Sequence, residues 1–144
     1  MTGKRDSELH AQKLRMSGRY NNADELELSG DTDALSEFAR LAQTEQTETC
    51  SLSIPQDLNP APYDDFLDSI KIEPSEAAVV VSRSKRLLII SGSKEGRRLL
   101  AANIEWLAAQ QSSGPVASHL HLEHYPGHFL SSESIPLVIV KVRD

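Results

Sequence analysis

The chain repeats itself, and the repeat limits what it can fold into. Leu26–Glu27–Leu28–Ser29–Gly30–Asp31 returns as Leu88–Ile89–Ile90–Ser91–Gly92–Ser93, with the glycines 92 − 30 = 62 positions apart. A strand that ends in Ser-Gly and runs into a helix must turn sharply, and glycine can adopt the backbone conformations such a turn demands. Helical spacing follows each copy, over Asp33–Ala42 and Glu95–Ala108, and alternation follows each helix, over Ser51–Ile54 and His119–His124. The pattern predicts an α+β fold: a single domain with a mostly antiparallel sheet and two main helices packed on one face. Strand, turn, helix and strand occur twice, as an internal pseudo-repeat.

The related halves span 12–55 and 69–144, joined by a Pro-rich connector with Pro55, Pro60 and Pro62. About 60 residues is marginal for independent folding, so one shared sheet is expected over 12–144. Residues 1–11 are polar and aperiodic and read as a disordered tail. A first strand is expected within Gln12–Tyr20, a second over Glu25–Ser29, and a short helical turn over Tyr63–Asp68. Ser69–Glu73 reads as a strand, and Ala77–Ser82 with Arg86–Ser91 as a hairpin connected by Arg83–Lys85. Lys94–Gln110 is the strongest helix, with Leu99, Leu100, Asn103, Ile104 and Leu107 as its apolar stripe and Trp106 off its centre. Gly96 weakens that helix by about 1 kcal/mol relative to Ala. Ser112–Gly114–Pro115 ends it, and Ile135–Val142 is the last strand.

Composition excludes several classes. No apolar run approaches the roughly 20 residues of a membrane-spanning helix, and Met1–Thr2–Gly3–Lys4–Arg5 is not followed by a signal-peptide core. Cys50 is the single cysteine, so an intramolecular disulfide is impossible. The expectation is a soluble, cytoplasmic protein with no membrane partner. A net charge of −6 argues against nucleic acid as a partner, because phosphate contacts need clustered cations. Arg83, Lys85, Arg86, Lys94, Arg97 and Arg98 do bunch; they read as a turn plus a solvated helix face, or as a patch for an acidic partner. Cys50 alternates with Leu52 and Ile54 and reads as a buried, inert thiol beside Glu45 and Glu48.

The chemistry-bearing residues gather near the C-terminus. His119, His121, His124 and His128 are four of the five histidines. On a strand, His119, His121 and Glu123 share one face, a ligand set that suits zinc or non-haem iron. The competing reading is a polar sheet face over a core containing Leu120 and Leu122. A third is a protein-binding face, for which His119, His121, Tyr125, His128 and Phe129 are the candidates. Ser29–Gly30 and Ser91–Gly92 lack the spacing of a dinucleotide fingerprint and the Lys of a phosphate loop. No catalytic residue and no cofactor is assigned.

From Leu88 to Val142 the order is Leu-Ile-Ile-Ser-Gly-Ser-Lys-Glu-Gly, a Leu- and Ala-rich helix, His-Leu-His-Leu-Glu, a Pro-Gly turn, Ser131–Ser132–Glu133–Ser134 and an apolar strand. This resembles immunity-protein family 32 of bacterial polymorphic toxin systems. Gly92, Glu95, Gly96, Leu99, Leu100, Leu107, His119, His121, Leu122, Ser134 and Leu137 carry the likeness. The resemblance implies a small α+β protein, not an enzyme, that neutralises a cognate bacterial toxin by direct binding. The alternative from residue chemistry is a metal-binding protein or metal-dependent enzyme using His119, His121 and Glu123. A second alternative is a structural or oligomerisation module, such as a homodimer joined through a strand edge.

Overall fold

Each Ser-Gly turn leads into a helix whose first free amides are capped by a side chain. Asp31 accepts from the Ala34 amide at 2.9 Å, and Ser93 accepts from the Gly96 amide at 3.1 Å. The computed structural model describes residues 13–111 and 118–143. Its elements are β1 (Ser17–Tyr20), β2 (Leu26–Gly30), α1 (Thr32–Ala42), β3 (Glu48–Ser51), β4 (Asp65–Leu67), β5 (Ser69–Pro74), β6 (Val80–Ser84), β7 (Leu87–Gly92), α2 (Lys94–Ala108), β8 (Ser118–Leu122) and β9 (Leu137–Lys141). The tail 1–11 and the helix stop at Ser112–Gly114–Pro115 lie outside the described residues. No described helix is long and apolar enough to cross a membrane.

The fold is α+β, and its strands sort into two sheets where one shared sheet was expected. One has the order β4-β1-β2-β9-β8, the other β3-β5-β7-β6. The chain passes between them at Asp68, between β4 and β5. Antiparallel pairing predominates, with β2–β9 and β5–β7 the parallel pairs. Read outward from the hairpins, the orders β1-β2-β9-β8 and β6-β7-β5-β3 correspond. In each case a hairpin is followed by a helix, and the strand after that helix crosses to the other sheet. The helices pack on each other, and one cluster of buried apolar residues runs from Leu14 to Ile139.

Three local expectations are corrected. Tyr63–Asp68 forms no helical turn: Asp65–Leu67 is β4, paired antiparallel with β1, and the Asp64 amide donates to the Tyr20 carbonyl. β3 lies earlier than Ser51–Ile54, which leaves Ile54 44% exposed. The buried stripe of α2 is Gly96, Arg97, Leu100, Ala101, Ile104, Leu107 and Ala108, with Leu99 at the exposed margin. Arg97, a charged residue outside the expected stripe, is buried on this face instead. Gly96 also has a packing role. A Cβ there would lie 2.6 Å from Val79 Cγ2, so the glycine lets the helix sit directly on Val79, just before β6.

The two turn glycines differ. Gly92 has φ +144°, and a Cβ would approach the Val79 Cα to 2.7 Å. Gly30 is not in the positive-φ region; its Cβ would meet the flexible Met16 side chain at 2.9 Å.

The basic cluster is dispersed by folding. Arg83 pairs with Asp24, Arg86 with Asp65, Lys94 with Glu45 and Arg98 with Glu95. Arg97 is 2% exposed and donates to the carbonyls of Gly92, Ala42 and Thr44 at 2.9, 2.9 and 2.6 Å. It thereby closes the C-terminus of α1, where carbonyls lack partners and the helix dipole favours a cation. Lys141 does the same for α2: its buried ammonium donates to the carbonyls of Ala108 and Gln110.

Candidate functional site

β8 places the histidines by simple alternation. Leu122 is buried and Leu120 half-buried under the sheet, so His119 and His121 project from the opposite, outer face. Their rings stack with centroids 6.3 Å apart. Strand register sets their neighbours: His121 lies in a row with Val138, Glu27 and Arg19, and His119 with Val140, Ser29 and Ser17. Arg19 is bonded to Glu27 at 2.8 Å. Glu123 lies beyond the end of β8 and is exposed. Among the described residues no three of His, Cys, Asp and Glu gather as a metal-holding group.

Tyr125, His128 and Phe129 come together in the connection from β8 to β9. The His128 amide donates to the Tyr125 carbonyl, and Gly127 (φ +86°) makes the turn. The His128 ring lies 4.4 Å from the Tyr125 ring and 4.3 Å from that of Phe129. Phe129 packs against the core, whereas Tyr125 is 58% exposed. Leu130 anchors the loop: it is 1% exposed and bridges to Val79, and the next amide, of Ser131, donates to the Val79 carbonyl at 2.7 Å. Ile135 donates to the Val81 carbonyl, so the loop runs along the edge of β6.

Two histidines hold the peptide groups of Leu130. Its amide donates to His128 Nδ1 at 3.3 Å, and its carbonyl accepts from His124 Nδ1 at 2.8 Å. Burial pulls the His128 pKa below the usual imidazole value, and neighbouring His124 adds to this. His124 was legible as a fourth histidine but not as a loop clamp, because its partner is a backbone carbonyl. Arg97 and Lys141 were also missed as structural cations. Lys141 left a signal: Leu137, Ile139 and Lys141 share one face of a strand.

Two surface grooves lie elsewhere. One of about 390 Å³ is lined by Lys13, Glu37, Arg40, Glu48 and Cys50 among others, and one of about 300 Å³ by Glu45, Pro74, Glu76, Lys94 and Arg97 among others. Neither touches β8 or its loop. Cys50 is buried, and desolvation together with Glu48 pushes its thiol pKa up to about 11, the opposite of an activated nucleophile.

β7, α2, β8, the His-rich loop and β9 form one continuous run of the chain. Residues 88–142 match the family model for immunity protein 32. The match to immunity protein 32 takes in β8, the exposed His119, His121 and His124, Tyr125 and the Leu130 anchor, and it extends over the C-terminal part of the chain. Comparison with curated proteins and with solved structures finds no match.

Proposed function

We propose that this protein is an immunity protein that neutralises a cognate bacterial toxin by binding it directly. The observation that carries the reading is the family match over residues 88–142. Three features of the molecule support it. The outer face of β8 and its loop present imidazoles and an exposed tyrosine, side chains suited to interface anchors. They sit on a strand and a loop pinned at Leu130, so little order is lost on binding. The net charge of −6 favours rapid encounter with a basic partner.

Co-expression with the product of the adjacent toxin gene should restore growth, and the two proteins should co-elute as a stable complex. A toxic neighbour that neither binds nor is silenced would end the reading. If the toxin is basic, its association rate should fall steeply between low salt and about 0.15 M, where the screening length is roughly 8 Å. Stopped-flow mixing across that range checks this. Tyr125→Ala should weaken the complex by about 1–3 kcal/mol if the loop is central to the interface. An unchanged Kd would move the interface off this loop.

A further inference from the structure

His124 and His128 grip the two sides of one peptide unit, and the backbone dictates which nitrogen carries a proton. An amide N–H can only donate, so His128 Nδ1 must be bare and accept from Leu130. A carbonyl can only accept, so His124 Nδ1 must carry hydrogen and donate to it. Neutral His128 therefore holds its proton on Nε2, and neutral His124 on Nδ1. The two rings respond differently to acid. Protonating His124 fills its free Nε2 and leaves its bond to Leu130 in place. Protonating His128 puts a hydrogen on the accepting nitrogen and turns it against the Leu130 amide. Leu130 is 1% exposed, so losing that acceptor is costly for its amide.

We propose that His128 is a proton-sensitive latch: neutral, it accepts from the Leu130 amide and tightens the loop that presents Tyr125; protonated, it gives up that one bond and loosens the loop on the Tyr125 side of the Leu130 anchor. The ring makes the mechanical connection, since it packs at a tilt against both Tyr125 and Phe129, 40° and 34° from their planes. Besides burial, neighbouring His124 opposes a proton on this ring. On the loop itself the titratable groups are Glu123, His124, Tyr125 and Glu133, with both carboxylates exposed. The segment the loop hangs from offers Val79 and, in β6, Val80 and Val81, and Arg83 of β6 is engaged with Asp24 and the Tyr20 ring. β8 contributes His119 and His121 on its outer face, and the Lys141 ammonium of β9 is committed to the end of α2.

The sign follows from the lowered pKa of His128. The unfolded chain takes up the proton at higher pH than the folded one, so the latch is at full strength above the ordinary imidazole value of about 6.5. It weakens as pH falls through that value toward the folded pKa. The latch stands on geometry alone; its bearing on toxin binding rests on the function proposed above.

Nitrogen-15 NMR of the full chain from pH 8 to pH 5 tests it. The Leu130 amide shift should follow the His128 imidazole with one midpoint. Below that midpoint the amide should lose about fivefold in exchange protection relative to core amides of β9, the size of one modest hydrogen bond. In His128→Asn, whose Oδ1 can accept in place of Nδ1 but does not titrate, the Leu130 response should vanish. A Leu130 amide that ignores His128 titration in the wild type overturns the latch, whatever the variant does. So does a His128→Asn protein that keeps the full response. The ratio of toxin Kd at pH 5.5 to that at pH 7.5 gives a separate readout, expected to collapse toward one in His128→Asn. A coupled NMR titration with no toxin binding at any pH would leave the latch standing and remove the immunity role.

Discussion

Two buried cations hold the ends of two helices. Arg97 reaches three carbonyls, and among the described residues no carboxylate forms a salt bridge with it; burial pulls its pKa down, yet arginine remains charged at any physiological pH. Arg97→Met keeps the apolar stem and removes every donor, leaving the carbonyls of Ala42, Thr44 and Gly92 without it. It should cost about 3 kcal/mol in urea unfolding. Lys141→Met, which loses contacts to two carbonyls, should cost about 2 kcal/mol in the same assay. Cys50 offers the opposite case, a group kept inert by its surroundings. Because a thiol with a pKa of about 11 is almost wholly protonated at pH 8, a thiol reagent should label the native protein slowly and the urea-unfolded protein quickly. Equal rates would show that Cys50 is accessible.

At the scale of elements, the strand–turn–helix joints separate two uses of glycine. Gly92→Ala forces a side chain into a positive-φ position and against the Val79 backbone, and should cost roughly 2–4 kcal/mol. Gly30→Ala meets side chains and no backbone, Met16 Cγ at 2.9 Å and the Ala34 Cβ at 3.2 Å, without a positive φ, and should cost less than Gly92→Ala, about 1–2 kcal/mol. Thermal melts of both variants check the difference; equal losses would mean that the two turns are built alike. α2 gives a second contrast. Leu100 is fully buried, so Leu100→Ala should cost about 2–5 kcal/mol, whereas Leu99→Ala at the exposed margin should stay within about 1 kcal/mol. Periodicity located this helix but put Leu99 and Asn103 in its stripe, neither of which is buried, and left out Arg97. Spacing cannot tell a buried guanidinium from an exposed one. Only the position of the α1 C-terminus shows why Arg97 points inward.

Across the whole molecule, the halves are interlaced. β3 from the N-terminal half completes the sheet of β5, β7 and β6, and β8 from the C-terminal half lies beside β9, which pairs with β2. Neither 12–55 nor 69–144 contains a complete sheet of its own. We therefore expect one cooperative unfolding transition, with coincident fluorescence and circular dichroism midpoints, and no stable fold from either half expressed alone. Two separated transitions would show that the halves are independent.

The sequence by itself determined the α+β class, both helices, the hairpins, the outward facing of His119 and His121, and the likeness of residues 88–142 to immunity proteins. These depend on alternation, helical spacing and turn residues, which act over a few neighbours along the chain. It did not determine that the strands form two sheets, that Tyr63–Asp68 supplies a strand, or that Arg97 and Lys141 close helix ends. Nor did it show that His124 and His128 share the peptide groups of Leu130. Those outcomes depend on where distant backbone carbonyls and amides come to rest. A backbone group has the same chemistry at every residue, so the sequence carries no mark of which one a buried side chain will find.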